Sequence, residues 1–422
     1  MSSASPPPTG SGVSRPLLAV LALLSAVAPF ATDMYLPTFT DMAADLQTSA
    51  SSVQLTLTAF FIGIATGQLV IGPLSDRFGR RRPILLATTV AVAACVACAV
   101  APNVWTLIAF RFAHGFAGAA GVVVARAVVA DRTSGRETAR LFSLLAAIGG
   151  VAPVIAPLAG GLLAATGWRS VFWVLAAVSA LMLLGAVLVV PETLAPERRH
   201  GGGIAATGRA ARRLLADRGY LGYTFAFGFG FAGLMGYISA SPFVVQNVLG
   251  LSTTAYTVTF AANALGLTAA SIAGARLLRR FSPERLLRAA QGAVLLLSAV
   301  LLATLAAGLP AAAVLPVLFL TVSCFSLVMG NSSALAVGRA PYATGTAAAV
   351  LGALQFGFGA LVAPLVGVGG EGTALPMGVT LVVSAVLGSG AHLVAAKAAP
   401  AAPSASEAAS VAEAASAEAG RC

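Results

Sequence analysis

Long apolar runs alternate with short polar breaks along the whole chain. Each run is about 20 residues, the length an α-helix needs to cross a hydrocarbon core of about 30 Å at 1.5 Å per residue. Twelve are expected, at roughly 17–38, 53–71, 83–101, 105–125, 141–164, 170–190, 220–241, 256–277, 286–306, 310–335, 344–366 and 376–397. The pattern predicts an all-α polytopic membrane protein with twelve transmembrane helices. The longest internal break, 191–219, carries Pro, three consecutive Gly and many Arg, and divides the spans into a six-helix bundle over 17–190 and another over 220–398. Residues 1–16 form a Ser-, Pro- and Gly-rich N-terminus expected to be flexible, and 399–422 a low-complexity Ala/Ser/Glu tail with too little to bury to fold alone. The first run superficially resembles a secretory signal, but it is too long and contains Asp33.

Composition excludes a soluble chain: 58% of residues are hydrophobic and 9% charged. The net charge of +11 points to a membrane rather than nucleic acid, because the basic residues are segregated. Arg clusters follow spans 2, 4, 6 and 8, Arg339 follows span 10, and the loops on the other side hold only Arg169. By the positive-inside rule both termini are cytoplasmic, which requires an even number of spans.

No cofactor or metal is expected. Cys95 and Cys98 form a C-x-x-C inside the third span, with no acidic or His neighbour in sequence, and read as small packing residues. The stretch "GGIAATGRAA" lacks the Lys and hydroxyl residue of a phosphate-binding loop. No Ser/His/Asp set is visible, so the chain does not read as an enzyme. A faint repeat relates Arg77-Phe78 to Arg280-Phe281, an offset near half the folded length, as in transporters built from parallel repeats.

Four constellations carry candidate chemistry. Asp33 lies within the first apolar run, where a charge is costly and needs a purpose. Arg111 and His114 stand one turn apart in the fourth, followed by Gly115, Gly118 and Gly121. Arg111 and Asp33 reach similar depth and are expected to pair. The loop "GPLSDRFGRR" after span 2 presents Gly72, Asp76, Arg77, Gly79, Arg80 and Arg81, with Gly72 suited to close helix contact, Gly79 to a tight turn, and Asp76 to a cap or ion pair. Span 5 carries Pro153, Pro157, Gly160 and Gly161, a combination that makes a pliable, closely packed helix.

These motifs, with "FATDMYLPTFTDMAADL" and "PETLAPERR", resemble the Bcr/CflA type of drug-resistance transporter, within the twelve-helix drug:proton antiporters of the major facilitator superfamily. Ala152 and Ala156 depart from the exporter motif at its two leading glycine positions, and His114 stands where Gln is commoner. The resemblance implies a monomeric inner-membrane exporter of small amphipathic antibiotics, chloramphenicol- or bicyclomycin-like, driven by protons. Export of an endogenous metabolite and proton-coupled nutrient import share the fold and stand as alternatives. On this reading Asp33, Arg111 and His114 couple protons, and the loop and span-5 residues govern conformational change. Tyr35, Phe61, Tyr237, Asn263, Gln355 and Phe356 are candidates for an apolar pocket with a few orienting hydrogen bonds.

Overall fold

The computed structural model describes residues 13–133, 135–196, 212–340 and 344–398, and among these every regular element is a helix. Much of the N-terminal stretch, most of the 191–219 break and the tail from 399 lie outside the described residues. Twelve long helices follow in order: α1 Arg15–Asp33, α2 Ala50–Phe78, α3 Arg81–Ala99, α4 Val104–Arg132, α5 Gly135–Ala164, α6 Trp168–Val189, α7 Arg218–Phe243, α8 Thr253–Leu277, α9 Pro283–Ala306, α10 Ala311–Gly338, α11 Thr344–Leu365 and α12 Leu375–Lys397. Eleven spans are long and apolar enough to cross a membrane, and Gly150–Ala164 adds the apolar part of α5.

Several helix starts are set locally by a polar residue that takes an otherwise unpaired backbone N–H. Asn103 caps α4 by accepting from Thr106 N at 3.0 Å, and Ser49 caps α2 by accepting from Ser52 N at 3.2 Å. Ser252 and Ser282 do the same for α8 and α9.

Two departures from the hydropathy pattern position the site. Helices α2 and α4 run on to Phe78 and Arg132 rather than stopping near 71 and 125, because backbone hydrogen bonding continues after the side chains become polar. The first span instead breaks early. Helix α1 ends at Asp33, and the chain turns through Leu36–Thr38 into a short helix, Phe39–Asp45. Pro37 has no N–H to give the Asp33 carbonyl, so the α-helical ladder cannot continue there.

The helices pack as two groups of six. In the first, α2 lies on α4, α3 on α4 and α6, and α1 on α4, α5 and α6; in the second, α7 lies on α10, α11 and α12, and α9 on α10 and α12. The groups meet along α2 with α11 and α5 with α8. The α2–α4 contact is backbone on backbone: a Cβ on Gly115 would be driven into the Phe60 carbonyl, and one on Gly63 into that of Phe112. Small residues permit this proximity, and dispersion across it replaces a hydrophobic drive that is absent between helices in lipid.

Candidate functional site

A cavity of about 250 Å³ lies between the two halves, lined by α1, α2 and α5 on one side and α7, α8 and α11 on the other. Its walls are largely apolar, with Asp33 the single charged side chain among the described residues that line it. Asp33 reaches it from the last turn of α1, on the same helix face as Pro29 and Thr32, which line the cavity with it. It is buried, and its hydrogen bond comes from its neighbour, the Thr32 hydroxyl, at 3.0 Å. Opposite stand Tyr237 and Gln355, with an aromatic triangle from three helices: Phe61 to Phe356 at 5.8 Å, Phe231 to Phe356 at 6.0 Å and Phe61 to Phe231 at 6.4 Å between ring centres. Asn263 does not line the cavity but donates to the Tyr237 hydroxyl at 2.8 Å, fixing that phenol from behind.

The structure does not bring Asp33 and Arg111 together as a pair. Arg111 is completely buried inside the first half and does not line the cavity. Its Nη2 donates to the Ala31 carbonyl at 3.0 Å. That carbonyl is one of the last in α1 and lacks an α-helical partner, so the guanidinium caps the helix end and meets the negative end of its dipole. The rings of Phe60, Tyr35 and Phe172 surround the cation at 4.3, 4.4 and 5.8 Å, supplying cation–π attraction where water is absent. Tyr35 therefore belongs to this box and not to the cavity. Its hydroxyl lies 3.2 Å from that of Thr56.

His114 completes the buried group. Its Nδ1 is 3.3 Å from Arg111 Nη1 and its Nε2 is 3.3 Å from Cys95 Sγ. A guanidinium only donates, so Nδ1 must accept, which places the imidazole proton on Nε2 facing the sulfur. His114 thus holds Arg111, and it is separated from the cavity that contains Asp33. Cys95 packs as expected, but it is also the far end of this chain of contacts, 3.8 Å from Ser179 Oγ.

At the Arg-rich end, the residues of the α2–α3 loop take separate roles. Arg80 is the hub: Nε donates to Asp131 at 2.9 Å, and Nη1 donates to Ser75 at 2.8 Å and Asp76 at 2.5 Å. Burial opposes its charge, but the Asp131 and Asp76 carboxylates hold its proton more firmly than in a free arginine. Glu192 accepts from Arg80 N at 2.8 Å and Arg81 N at 3.3 Å, tying the loop to the end of α6. Gly79 has φ +86°, and a Cβ there would collide with the Glu192 carboxylate. Gly72 is different. An added Cβ meets nothing closer than Val123 at 3.8 Å, so close helix contact does not require this glycine. Arg77 makes no ion pair among the described residues and lies over the Phe78 ring at 5.2 Å.

In α5, Pro153 lines the cavity and Pro157 is buried. A Cβ on Gly160 would strike the Met34 carbonyl, and one on Gly161 the Thr257 side chain of α8. These two glycines therefore seat α5 against the break in α1 and against the other half.

The halves are sealed at the end opposite the Arg-rich loops. Gln54 Nε2 donates to the Ser239 carbonyl at 3.0 Å and Gln246 Nε2 to the Pro37 carbonyl at 3.4 Å, with the Phe39 and Phe243 rings 6.1 Å apart between them. Neither glutamine was distinguishable in the sequence from an ordinary polar residue at a span end. The apolar lining residues Phe231, Met235 and Phe260 likewise carry no signal that separates a cavity wall from a lipid-facing surface.

The Major Facilitator Superfamily matches residues 21–364. The chain is 38% identical over 377 residues to the MFS-type transporter YdgK of Bacillus subtilis (strain 168), covering 88% of this chain and 92% of that one. It is 33% identical over 361 residues to a bicyclomycin resistance protein homolog of Haemophilus influenzae (strain ATCC 51907 / DSM 11121 / KW20 / Rd), covering 85% and 90%. It is 27% identical over 344 residues to the multidrug resistance protein MdtL of Escherichia fergusonii (strain ATCC 35469 / DSM 13698 / CCUG 18766 / IAM 14443 / JCM 21226 / LMG 7866 / NBRC 102419 / NCTC 12128 / CDC 0568-73), covering 81% and 86%. Among solved structures, a bacterial homolog of the human lysosomal transporter Spinster, inward-facing and occupied, superposes with a TM-score of 0.73 at 17% identity, covering 92% and 98%. A D-xylose-proton symporter superposes with a TM-score of 0.70 at 15% identity, covering 92% and 98%.

Proposed function

Because the chain belongs to the Major Facilitator Superfamily and is a multi-pass bacterial membrane transporter, we propose that it exports small amphipathic antibiotics, driven by proton entry, by alternating access. One observation carries the coupling: among the described residues lining the cavity between the halves, Asp33 is the one carboxylate in largely apolar and aromatic surroundings, and none is cationic. A buried, unpaired carboxylate is costly, and protonation relieves that cost. Occupancy of Asp33 by a proton and of the cavity by substrate then bias the two facings through differential affinity, which is all that coupling needs. The relatives named for bicyclomycin resistance and multidrug resistance favour export over import and drugs over a nutrient.

On this reading, the Arg-rich loops are cytoplasmic, both termini lie on that side, and the seal through Gln54 and Gln246 faces outward. The cavity then loads from the cytoplasm. Arg111 and His114 act on Asp33 through the backbone of α1, by fixing where the helix ends, and not as a counter-ion and a relay. The Arg80 network and Gly160 with Gly161 set the cost of moving the halves.

The test is accumulation and susceptibility profiling in an efflux-deficient host, paired with proton release from detergent-solubilised protein on drug addition. Lower drug accumulation and proton release near neutral pH are expected. Raised uptake of a nutrient with unchanged drug accumulation overturns the export assignment.

A further inference from the structure

A second concavity lies on the outer surface of the second half, away from the substrate cavity. It has a volume of about 630 Å³ and runs between α7 and α12 from Arg218 to Phe229. Its walls are Phe225, Leu387 and Val394, all exposed, and its edge toward α11 is closed by Phe358, whose ring packs on Phe229 at 4.9 Å. A Cβ at Gly390 would meet nothing within 4 Å, so the groove exists partly because this side chain is absent.

The groove has one charged end. Arg218 lines it and is exposed, and the adjacent acid does not neutralise it, because Asp217 is paired with Arg339 at 3.2 Å. Helices α7 and α12 run antiparallel, with Gly222 against Ala391 and Ala395, so exposed Lys397 in the last turn of α12 comes to the same end as Arg218. The length is informative. From Arg218 to Phe229 α7 rises about 16 Å, eleven steps of 1.5 Å, close to half of the roughly 30 Å hydrocarbon core. A partner helix needs a face crossing the whole membrane, whereas one leaflet-deep trough with cations at its mouth fits one lipid.

We infer that this groove binds an anionic glycerophospholipid of the leaflet at the Arg-rich end, its phosphate on Arg218 and Lys397 and an acyl chain against Phe225, Leu387 and Gly390. Basic recesses between helices at the cytoplasmic side suit anionic headgroups for the same electrostatic reason.

Full-length protein in detergent, titrated with dioleoylphosphatidylglycerol or dioleoylphosphatidylcholine and read by native mass spectrometry, tests this. Wild type should retain the phosphatidylglycerol about 25-fold over the phosphatidylcholine, about fivefold for each of the two surface cations. Arg218→Ala should lower the ratio about fivefold, Arg218→Lys should keep most of it, and Gly390→Leu should lower retention of both lipids by filling the trough. Arg279→Ala, an exposed cation on another loop, is the control and should change nothing. Equal retention of the two lipids by wild type overturns the inference. So does an Arg218→Ala protein indistinguishable from wild type, an Arg279→Ala loss of the same size, or dimers that Gly390→Leu disperses, which would give the groove to a second copy. Size-exclusion profiles of each variant separate lost binding from lost folding.

Discussion

Arg111 donates to the Ala31 carbonyl at 3.0 Å, two residues before Asp33, so the buried cation of the first half holds the end of α1 and leaves the carboxylate alone in the cavity. The two buried charges are kept apart: the arginine is held by the Ala31 carbonyl, His114 and aromatic faces, and the acid lines the cavity without it.

Substitutions at Arg111 and His114 should act through that geometry. Arg111→Ala is expected to be inactive and to lose about 2 to 3 kcal/mol of stability, the weight of a charge-assisted hydrogen bond in a buried site. Arg111→Lys should be poorly active, because a point charge cannot donate to Ala31 and His114 in one plane. His114→Gln should remain active with an unchanged pH profile, since its amide oxygen can accept from Arg111 as Nδ1 does. A pH profile displaced in His114→Gln would return the imidazole to the proton path.

Asp33→Asn should abolish drug-dependent proton release and uphill efflux while substrate binding survives. The neutral amide mimics the protonated acid, and the aromatic triangle is untouched. Proton release equal to wild type, measured in detergent near neutral pH, would move the carrier elsewhere.

Within the Arg-rich loop, the two glycines should separate cleanly. Gly79→Ala forces a side chain into φ +86° and into the Glu192 carboxylate, so transport should fall by an order of magnitude or more with drug affinity nearly intact, by the cost of left-handed backbone plus a broken contact, about 1 to 3 kcal/mol. Gly72→Ala should transport like wild type. Asp76→Asn should slow turnover without changing binding, since Asp76 sits on the Arg80 hub at 2.5 Å. Paired transport and equilibrium-binding measurements on the three variants check this.

Gln54→Ala removes the hydrogen bond that closes the sealed end over Ser239. One net hydrogen bond is worth about 0.5 to 1.5 kcal/mol, so the population open at that end should rise about two- to tenfold. Labelling of a single cysteine at Ser51, beside Gly367 in the seal, by a membrane-impermeant maleimide reads the shift. Unchanged labelling would show that apolar packing alone holds the end closed.

The run of long apolar helices was legible in the sequence, because lipid imposes a length and a polarity on each helix separately. That Asp76 would cap a helix or pair with a neighbouring arginine was legible too, but the choice of Arg80 depends on the turn at Gly79 between α2 and α3. What the sequence could not reveal depended on residues far apart along the chain. Asp33 and Arg111 share a depth, which hydropathy reports, but one lines the cavity between the halves and the other packs inside the first half, which it does not. Asp33 shares the cavity-lining face of α1 with Pro29 and Thr32, and the orphaned Ala31 carbonyl holds the guanidinium inside the first half. Tyr35 and Asn263 were expected in a pocket because they are polar aromatics and amides in spans; tertiary packing places one around a cation and the other behind a tyrosine. Likewise Asp131 and Glu192 complete the Arg80 network from 51 and 112 residues away. Depth is a property of one helix and its solvent, whereas facing and partnership are properties of two, and only the packed structure determines those.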